Sequence, residues 1–214
     1  MNLNNFIDHT KLGAHLTRAE IAQLCQEAAE NNFAAVCIPP YFVAQCHKLL
    51  AQTTVKTCTV VGFPLGYSTI AAKITEIKKA LDDGAQEIDA VINLAALANG
   101  DWRTLTNELE SMTNTCHFQD KIIKIIIETA YLTQADYAPL TEICIKTGVD
   151  FVKTSTGFAP TGADVASVRQ LRLLLPETIK LKASGGIKTK EQAQQLITAG
   201  ASRIGTSCGL QLIG

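Results

Sequence analysis

Eight short runs rich in β-branched and other apolar residues recur along this chain, and a stretch of helical pattern follows each of the first seven. The runs are FIDHT (6–10), AAVCI (34–38), TCTVVGF (57–63), EIDAVIN (87–93), IKIIIET (123–129), FVKTS (151–155), KLKAS (180–184) and RIGTS (203–207). Near-continuous hydrophobicity in such short segments marks strands covered on both faces. Regular alternation with helices implies parallel strands joined by right-handed crossovers. An open doubly wound sheet and a closed eight-stranded barrel both satisfy that order. No GxGxxG follows the first run, which counts against a dinucleotide-binding open sheet. The expectation is an α/β chain forming a single-domain (β/α)8 TIM barrel over residues 1–214.

The helical stretches carry their own punctuation. TRAEIAQLCQEAAENN opens with Thr17 and has Glu20 three residues on, a capping box, with Ile21, Leu24, Cys25 and Ala28 at helical spacing. STIAAKITEIKKALDDG is expected to start at Ser68 and stop at Gly84, with Ile70, Ile74, Ile77 and Leu81 on its buried face. The remaining helices are assigned to YFVAQCHKLLAQ, GDWRTLTNELESMTN, LTQADYAPLTEICIKTG, GADVASVRQLRLLL and TKEQAQQLITAG.

Several strands carry charges on the face that should point into the barrel. Side chains alternate along a strand. If Ile88, Ala90 and Ile92 meet the helices, Asp89 points inward. By the same parity Lys124 and Glu128, Lys153 with Ser155, Lys182 with Ser184, and Asp8 with Thr10 all face the interior. Barrel interiors are usually filled with branched apolar side chains, so three lysines and three acids there need a reason. A structural ion-pair network is one. However, buried pairs are often no better for stability than packed apolar residues, which favours a reaction centre.

A desolvated lysine amine beside a second cation is driven toward its neutral form. A neutral amine attacks a carbonyl to give a Schiff base, whose protonated imine is an electron sink for an adjacent C–C bond. A second lysine and an aspartate move protons, directly or through water. The loops after runs seven and eight supply ASGGIKT and a tail, CGLQLI, able to begin a short helix. Their glycines and Ser207, with Gly157 after run six, suit a phosphate held by backbone N–H groups.

These motifs resemble the deoxyribose-phosphate aldolase family of class I aldolases. The similarity runs in order through DHTKL, VCIPP, VVGFPLG, EIDAVINL, KIIIETAYL, FVKTSTGF, LKASGGI and RIGTS, nearly the whole chain. The resemblance implies reversible cleavage of 2-deoxy-D-ribose 5-phosphate to acetaldehyde and D-glyceraldehyde 3-phosphate. It implies Lys153 as the Schiff-base lysine, and Asp89 and Lys182 as the proton-transfer pair. Thr10, Cys37 and Phe63 fall near the substrate, and Gly157, Gly185, Gly186, Gly205 and Ser207 at the phosphate. No cofactor or metal is expected, the partners being small phosphosugars and aldehydes and a second copy of the chain in a dimer or tetramer. Some relatives carry a longer tail ending in a tyrosine that moves a proton. Here the sequence ends GLQLIG with no tyrosine after Tyr137, so the group that protonates the enamine stays open. Competing readings are another lysine-dependent aldolase such as a transaldolase, a phosphosugar isomerase using Glu128 as base, and a non-catalytic barrel serving as a scaffold.

Composition narrows the partners. Lysine and arginine number 19 against 20 acids, a net charge of -1, so nothing points to nucleic acid or an anionic membrane. The segment MNLNNFIDHT does not read as a signal peptide, and no apolar run reaches the roughly 20 residues of a membrane span. Seven cysteines without a CxxC suit a reduced, cytoplasmic protein. The four histidines form no metal-ligand motif.

Overall fold

The computed structural model describes residues 2–214 and closes eight parallel strands into a barrel in the order β1 to β8. The strands are β1 (Ile7–Thr10), β2 (Ala35–Ile38), β3 (Lys56–Val61), β4 (Glu87–Val91), β5 (Ile122–Ile126), β6 (Phe151–Lys153), β7 (Lys180–Ser184) and β8 (Arg203–Thr206). β8 pairs with β1 through Ile7 and Ile204, so no edge is left open. The helices that follow them are α1 (Arg18–Glu30), α2 (Val43–Leu49), α3 (Ile70–Asp82), α4 (Leu94–Ala98), α5 (Trp102–His117), α6 (Gln134–Thr147), α7 (Val165–Leu174), α8 (Lys190–Thr198) and α9 (Gly209–Ile213). The expected barrel is present, and the tail does form a short helix.

Local chemistry sets most helix ends. Thr17 and Glu20 form the expected capping box on α1. The start of α3 falls one residue later than expected. Thr69, not Ser68, accepts the N–H of Ala72 and caps the helix. The glycine stop of α6 is real, Gly148 taking the left-handed conformation at φ 69°.

One apolar core lies between the strands and the helix layer. It joins outward-facing Ile88, Ile123, Ile125, Val152 and Leu181 to Leu105, Leu109, Val168 and Leu171 from the helices. The buried face of α3 departs from its expected pattern. Lys73 is fully buried alongside Ile77 and Leu81, while Ile74 only packs against the core from its margin. The Lys73 ammonium donates to Glu108 on α5 at 2.7 Å and to the Val91 carbonyl at 2.6 Å. Glu108 also accepts the Asn93 N–H at 2.7 Å. This pair therefore ties two helices to the end of β4.

The barrel interior is divided. Ala35, Cys37, Cys58 and Val60 make a small apolar cluster on the β2–β3 side, flanked by Leu12 and Phe63. The charged side chains occupy the rest. Lys73→Met leaves Glu108 buried without a cation and is expected to lower stability by about 3–5 kcal/mol in urea unfolding. Adding Glu108→Leu should recover much of that loss. A single variant as stable as the parent would show that the pair bears no load.

Candidate active site

The floor of the site is an ion network centred on the Asp89 carboxylate of β4. Lys124 on β5 donates to Asp89 Oδ1 at 2.8 Å. Lys153 on β6 and Lys182 on β7 both donate to Asp89 Oδ2, at 2.9 and 2.7 Å. Strand register makes this possible, because Asp89 pairs with Lys124, and Lys153 with Lys182, on neighbouring strands. Lys182 also contacts Asp8 Oδ2 at 2.5 Å, and Lys124 contacts Glu87 Oε2 at 2.6 Å.

Two members of this network escaped the sequence reading. Glu87 faces inward with Asp89, as its parity required, and Arg203 on β8 bridges Asp8 at 2.5 Å and Glu87 at 3.1 Å. Arg203 lies at the strand's start, and since its neighbour Ile204 faces the helix layer, the same parity turns Arg203 inward. With Lys124 and Lys180 it also surrounds the Phe151 ring, its guanidinium 5.6 Å from the centroid. Glu128, expected to join Lys124 on the inward face, does not. Strand β5 ends at Ile126, and Glu128 turns into the left-handed region at φ 51°. Its carboxylate binds Thr156 instead.

The field inside the network is strong. Burial disfavours the charged form of Asp89, yet Lys124, Lys153 and Lys182 outweigh it and hold the carboxyl well below its ordinary range. Asp8 behaves alike, with Lys182, Arg203 and Lys124 overcoming its desolvation. Burial works against the Lys182 and Lys124 ammonium groups, but the carboxylates raise both above the usual lysine value. The set comprises four cations, Lys124, Lys153, Lys182 and Arg203, against three carboxylates, Asp8, Glu87 and Asp89. Lys153 is the member at the open end.

Above it lies a cavity of about 310 Å³ at the C-terminal end of the strands. Lys153 forms its floor, and Thr10, Gly157, Gly185, Gly186, Gly205 and Ser207 all line it. Among the described residues, the backbone N–H groups of Gly157, Gly186 and Ser207 have no backbone acceptor. These are free donors gathered on one wall, the arrangement an oxyanion needs. Thr156, Phe158, Ser184 and Thr206 line the cavity too. Parity already places Ser184 inward with Lys182; Thr156 and Phe158 lie in a loop, where alternation does not hold, and Thr206 is the last residue of β8.

Four expected residues lie outside that lining. Asp89 and Lys182 are completely buried beneath Lys153 and meet the cavity through its amine. Cys37 is buried as well, its thiol 3.9 Å from Asp89 Oδ2. Phe63 borders a neighbouring apolar groove and packs edge-on against Phe158, ring centres 5.2 Å apart. The sulfurs of Cys37 and Cys58 and an Asp89 oxygen lie within 4.8 Å of one another, a donor set with metal-like spacing. Lysine ammonium groups occupy both Asp89 oxygens, and Lys124 sits 3.3 Å from Cys58 Sγ. Burial, the largest influence, holds the Cys58 thiol well above its ordinary range, so a thiolate ligand is disfavoured.

Gly205 serves the network as well as the cavity. A Cβ at that position would lie 3.1 Å from Lys182 Cε and 2.9 Å from Ser184 Cβ. Only a glycine on β8 leaves the Lys182 stem its path to Asp89.

Residues 4–213 match the model of the DeoC/LacD family aldolases. The chain belongs to that family. A deoxyribose-phosphate aldolase of Thermoanaerobacter sp. (strain X514) is 44% identical over 214 residues, covering 100% of this chain and 96% of the relative. One from Caldicellulosiruptor saccharolyticus is 45% identical over 209 residues, covering 97% and 95%. Among solved structures, a tetrameric deoxyribose phosphate aldolase from Aeropyrum pernix superposes with a TM-score of 0.92 at 30% identity, covering 99% of this chain and 89% of that one. As an aldolase of this family, the chain is a lyase that makes and breaks a C–C bond.

Two outcomes follow for the aldolase site. Asp8 and Asp89, held below their ordinary 3.8, contribute stability above that pH and lose it as the pH falls through their lowered values. Unfolding free energy measured in urea should therefore decline steadily below about pH 4, and a flat profile down to about pH 2 would contradict the network. Gly205→Ala should lower kcat by about tenfold or more by displacing Lys182, with circular dichroism unchanged. An unaltered kcat would show that Lys182 has room to spare.

Proposed function

We propose that this protein is a class I aldolase that reversibly cleaves 2-deoxy-D-ribose 5-phosphate to acetaldehyde and D-glyceraldehyde 3-phosphate, in the catabolism of deoxyribose phosphate. The observation that carries the reading is one buried lysine, Lys153, that reaches the floor of a cavity also lined by free backbone donors. The 44–45% identical relatives of that name support the substrate.

In this mechanism the sugar phosphate docks against Gly157, Gly185, Gly186, Gly205 and Ser207, which brings the open-chain aldehyde over Lys153. Lys153 is the one network member that lines the cavity, and the first step uses its free amine. That amine attacks C1, and loss of water with uptake of one proton from solvent, later returned on hydrolysis, gives the protonated imine. The C3 hydroxyl loses its proton through solvent water to Asp89, the C2–C3 bond breaks, and its electron pair enters the imine to give an enamine. Glyceraldehyde 3-phosphate leaves. The enamine carbon takes a proton from Asp89 through water, with Lys182 holding the carboxylate in place, and hydrolysis of the imine frees acetaldehyde and restores Lys153. Lys182 stays cationic throughout, and Asp89, shared by both lysines, is the group through which protons pass. Thr10 lies beside the reacting carbons, while Cys37 and Phe63 shape the site from behind.

The isomerase reading needs Glu128 as a base in the cavity. Its carboxylate is turned toward Thr156 and is not part of the cavity lining. A transaldolase-like activity keeps the same lysine chemistry and differs only in substrate.

The barrel acts as a single domain in this reading and requires no cofactor or metal. A homo-oligomer accords with the tetrameric relative from Aeropyrum pernix. The cysteines, all unpaired, suit a reducing cytoplasm. No helix among the described residues is long and apolar enough to cross a membrane.

Borohydride reduction in the presence of acetaldehyde should fix a two-carbon adduct on Lys153, identified by intact mass and peptide mapping. Lys153→Leu should abolish both adduct and turnover. An adduct on another lysine, or wild-type turnover by the variant, would overturn the assignment.

A further inference from the structure

Glu128 belongs neither to the ion network nor to the cavity lining, yet it is 1% exposed. Its backbone is left-handed, at φ 51° and ψ 73°, which is strained for a residue with a Cβ. Such strain persists only where the surroundings use it.

The pairing of β5 with β6 shows the use. Beyond the strand ends, Ile127 N–H donates to the Lys153 carbonyl at 3.0 Å and Thr129 N–H to the Thr154 carbonyl at 2.8 Å. The two segments thus stay together past Lys153. The turn at Glu128 sends its side chain across to the segment after Lys153. There Oε2 accepts the Thr156 N–H at 3.1 Å, and the Thr156 hydroxyl donates to the same oxygen. Thr156 Oγ1 in turn accepts the Phe158 N–H at 3.0 Å. Gly157 is bracketed by these bonds, and its own N–H has no acceptor among the described residues. The bracket also sets Gly157 against the next loop, since a Cβ on it would lie 3.6 Å from Gly185 Cα.

We propose that Glu128 is a positioning residue for phosphate recognition, acting through Thr156 to hold the Gly157 N–H toward the phosphate end of the cavity. The inference rests on the aldolase reading above. Glu128 touches neither substrate nor Lys153, so it acts on the grip and not on the covalent chemistry.

The experiment compares substrates with and without a phosphate. Glu128→Ala should raise KM for 2-deoxy-D-ribose 5-phosphate by about tenfold or more, as befits loss of bonds to a charged acceptor. For unphosphorylated 2-deoxy-D-ribose, kcat/KM should stay within about twofold, and so should the rate of acetaldehyde trapping on Lys153. Equal losses on both substrates would overturn the proposal by placing Glu128 in the chemistry, and no loss on either would reduce it to a structural residue. Should Glu128→Ala fold poorly, Glu128→Gln removes the charge from the shared acceptor and turns the Oε1 position, 3.3 Å from the Thr156 N–H, into a donor. Thr156→Val should reproduce the phosphate-specific effect, and combining it with Glu128→Gln should add little. Additive losses would overturn the coupling. Failure of the parent enzyme to trap acetaldehyde on Lys153 would instead sink the aldolase reading itself, so the two failures are distinguishable.

Discussion

The Asp89 carboxylate, bound by three lysine ammonium groups, is the interaction on which the rest of the site depends. One oxygen serves Lys124 and the other is divided between Lys153 and Lys182. A carboxylate in this position cannot be replaced by an apolar residue without leaving several buried cations unpaired, which is costly. The arrangement therefore links stability and chemistry. The charges that surround Lys153 are also what the barrel must satisfy in order to close.

That requirement explains the division of the interior. The β2–β3 side is filled by Ala35, Cys37, Cys58 and Val60, small enough to leave room for long side chains opposite. Lys124, Lys182 and Arg203 occupy that room, with Asp8 and Glu87 taking the bonds that Asp89 cannot. Gly205 completes the fit by giving Lys182 a path across β8. Above this layer the environment changes from ion pairs to backbone donors. The ion network and the cavity thus meet at Lys153, which belongs to both. The left-handed turn at Glu128 belongs to the upper layer, where it holds the loop that follows Lys153.

The fold and its central site were largely legible from the chain itself. The order of strands and helices, Lys153, Asp89, Lys182 and Asp8 on inward faces, and the glycines around the cavity all follow from period and parity. The errors fall where periodicity stops. Glu128 was placed with Lys124 because alternation was extended beyond Ile126, where the strand had ended. Lys73 was missed because a helix face does not announce that a charged side chain will be buried when its partner, Glu108, lies 35 positions away. Thr156 and Phe158 were missed because loop positions have no period.

The sequence by itself determined what is local: which segments extend, which coil, which caps stop them, and which side chains share a face. These depend on spacing along one element, so the chain displays them directly. Tertiary structure alone decided which charge meets which. Asp8 and Arg203 are 195 positions apart yet lie 2.5 Å from each other, because closing the barrel brings the first and last strands together. Only closure makes Asp89 a shared partner, puts Arg203 in the network, and sets Lys153 at its open end. Electrostatic energy depends on distances of a few ångströms through space, and separation along the chain carries no record of them.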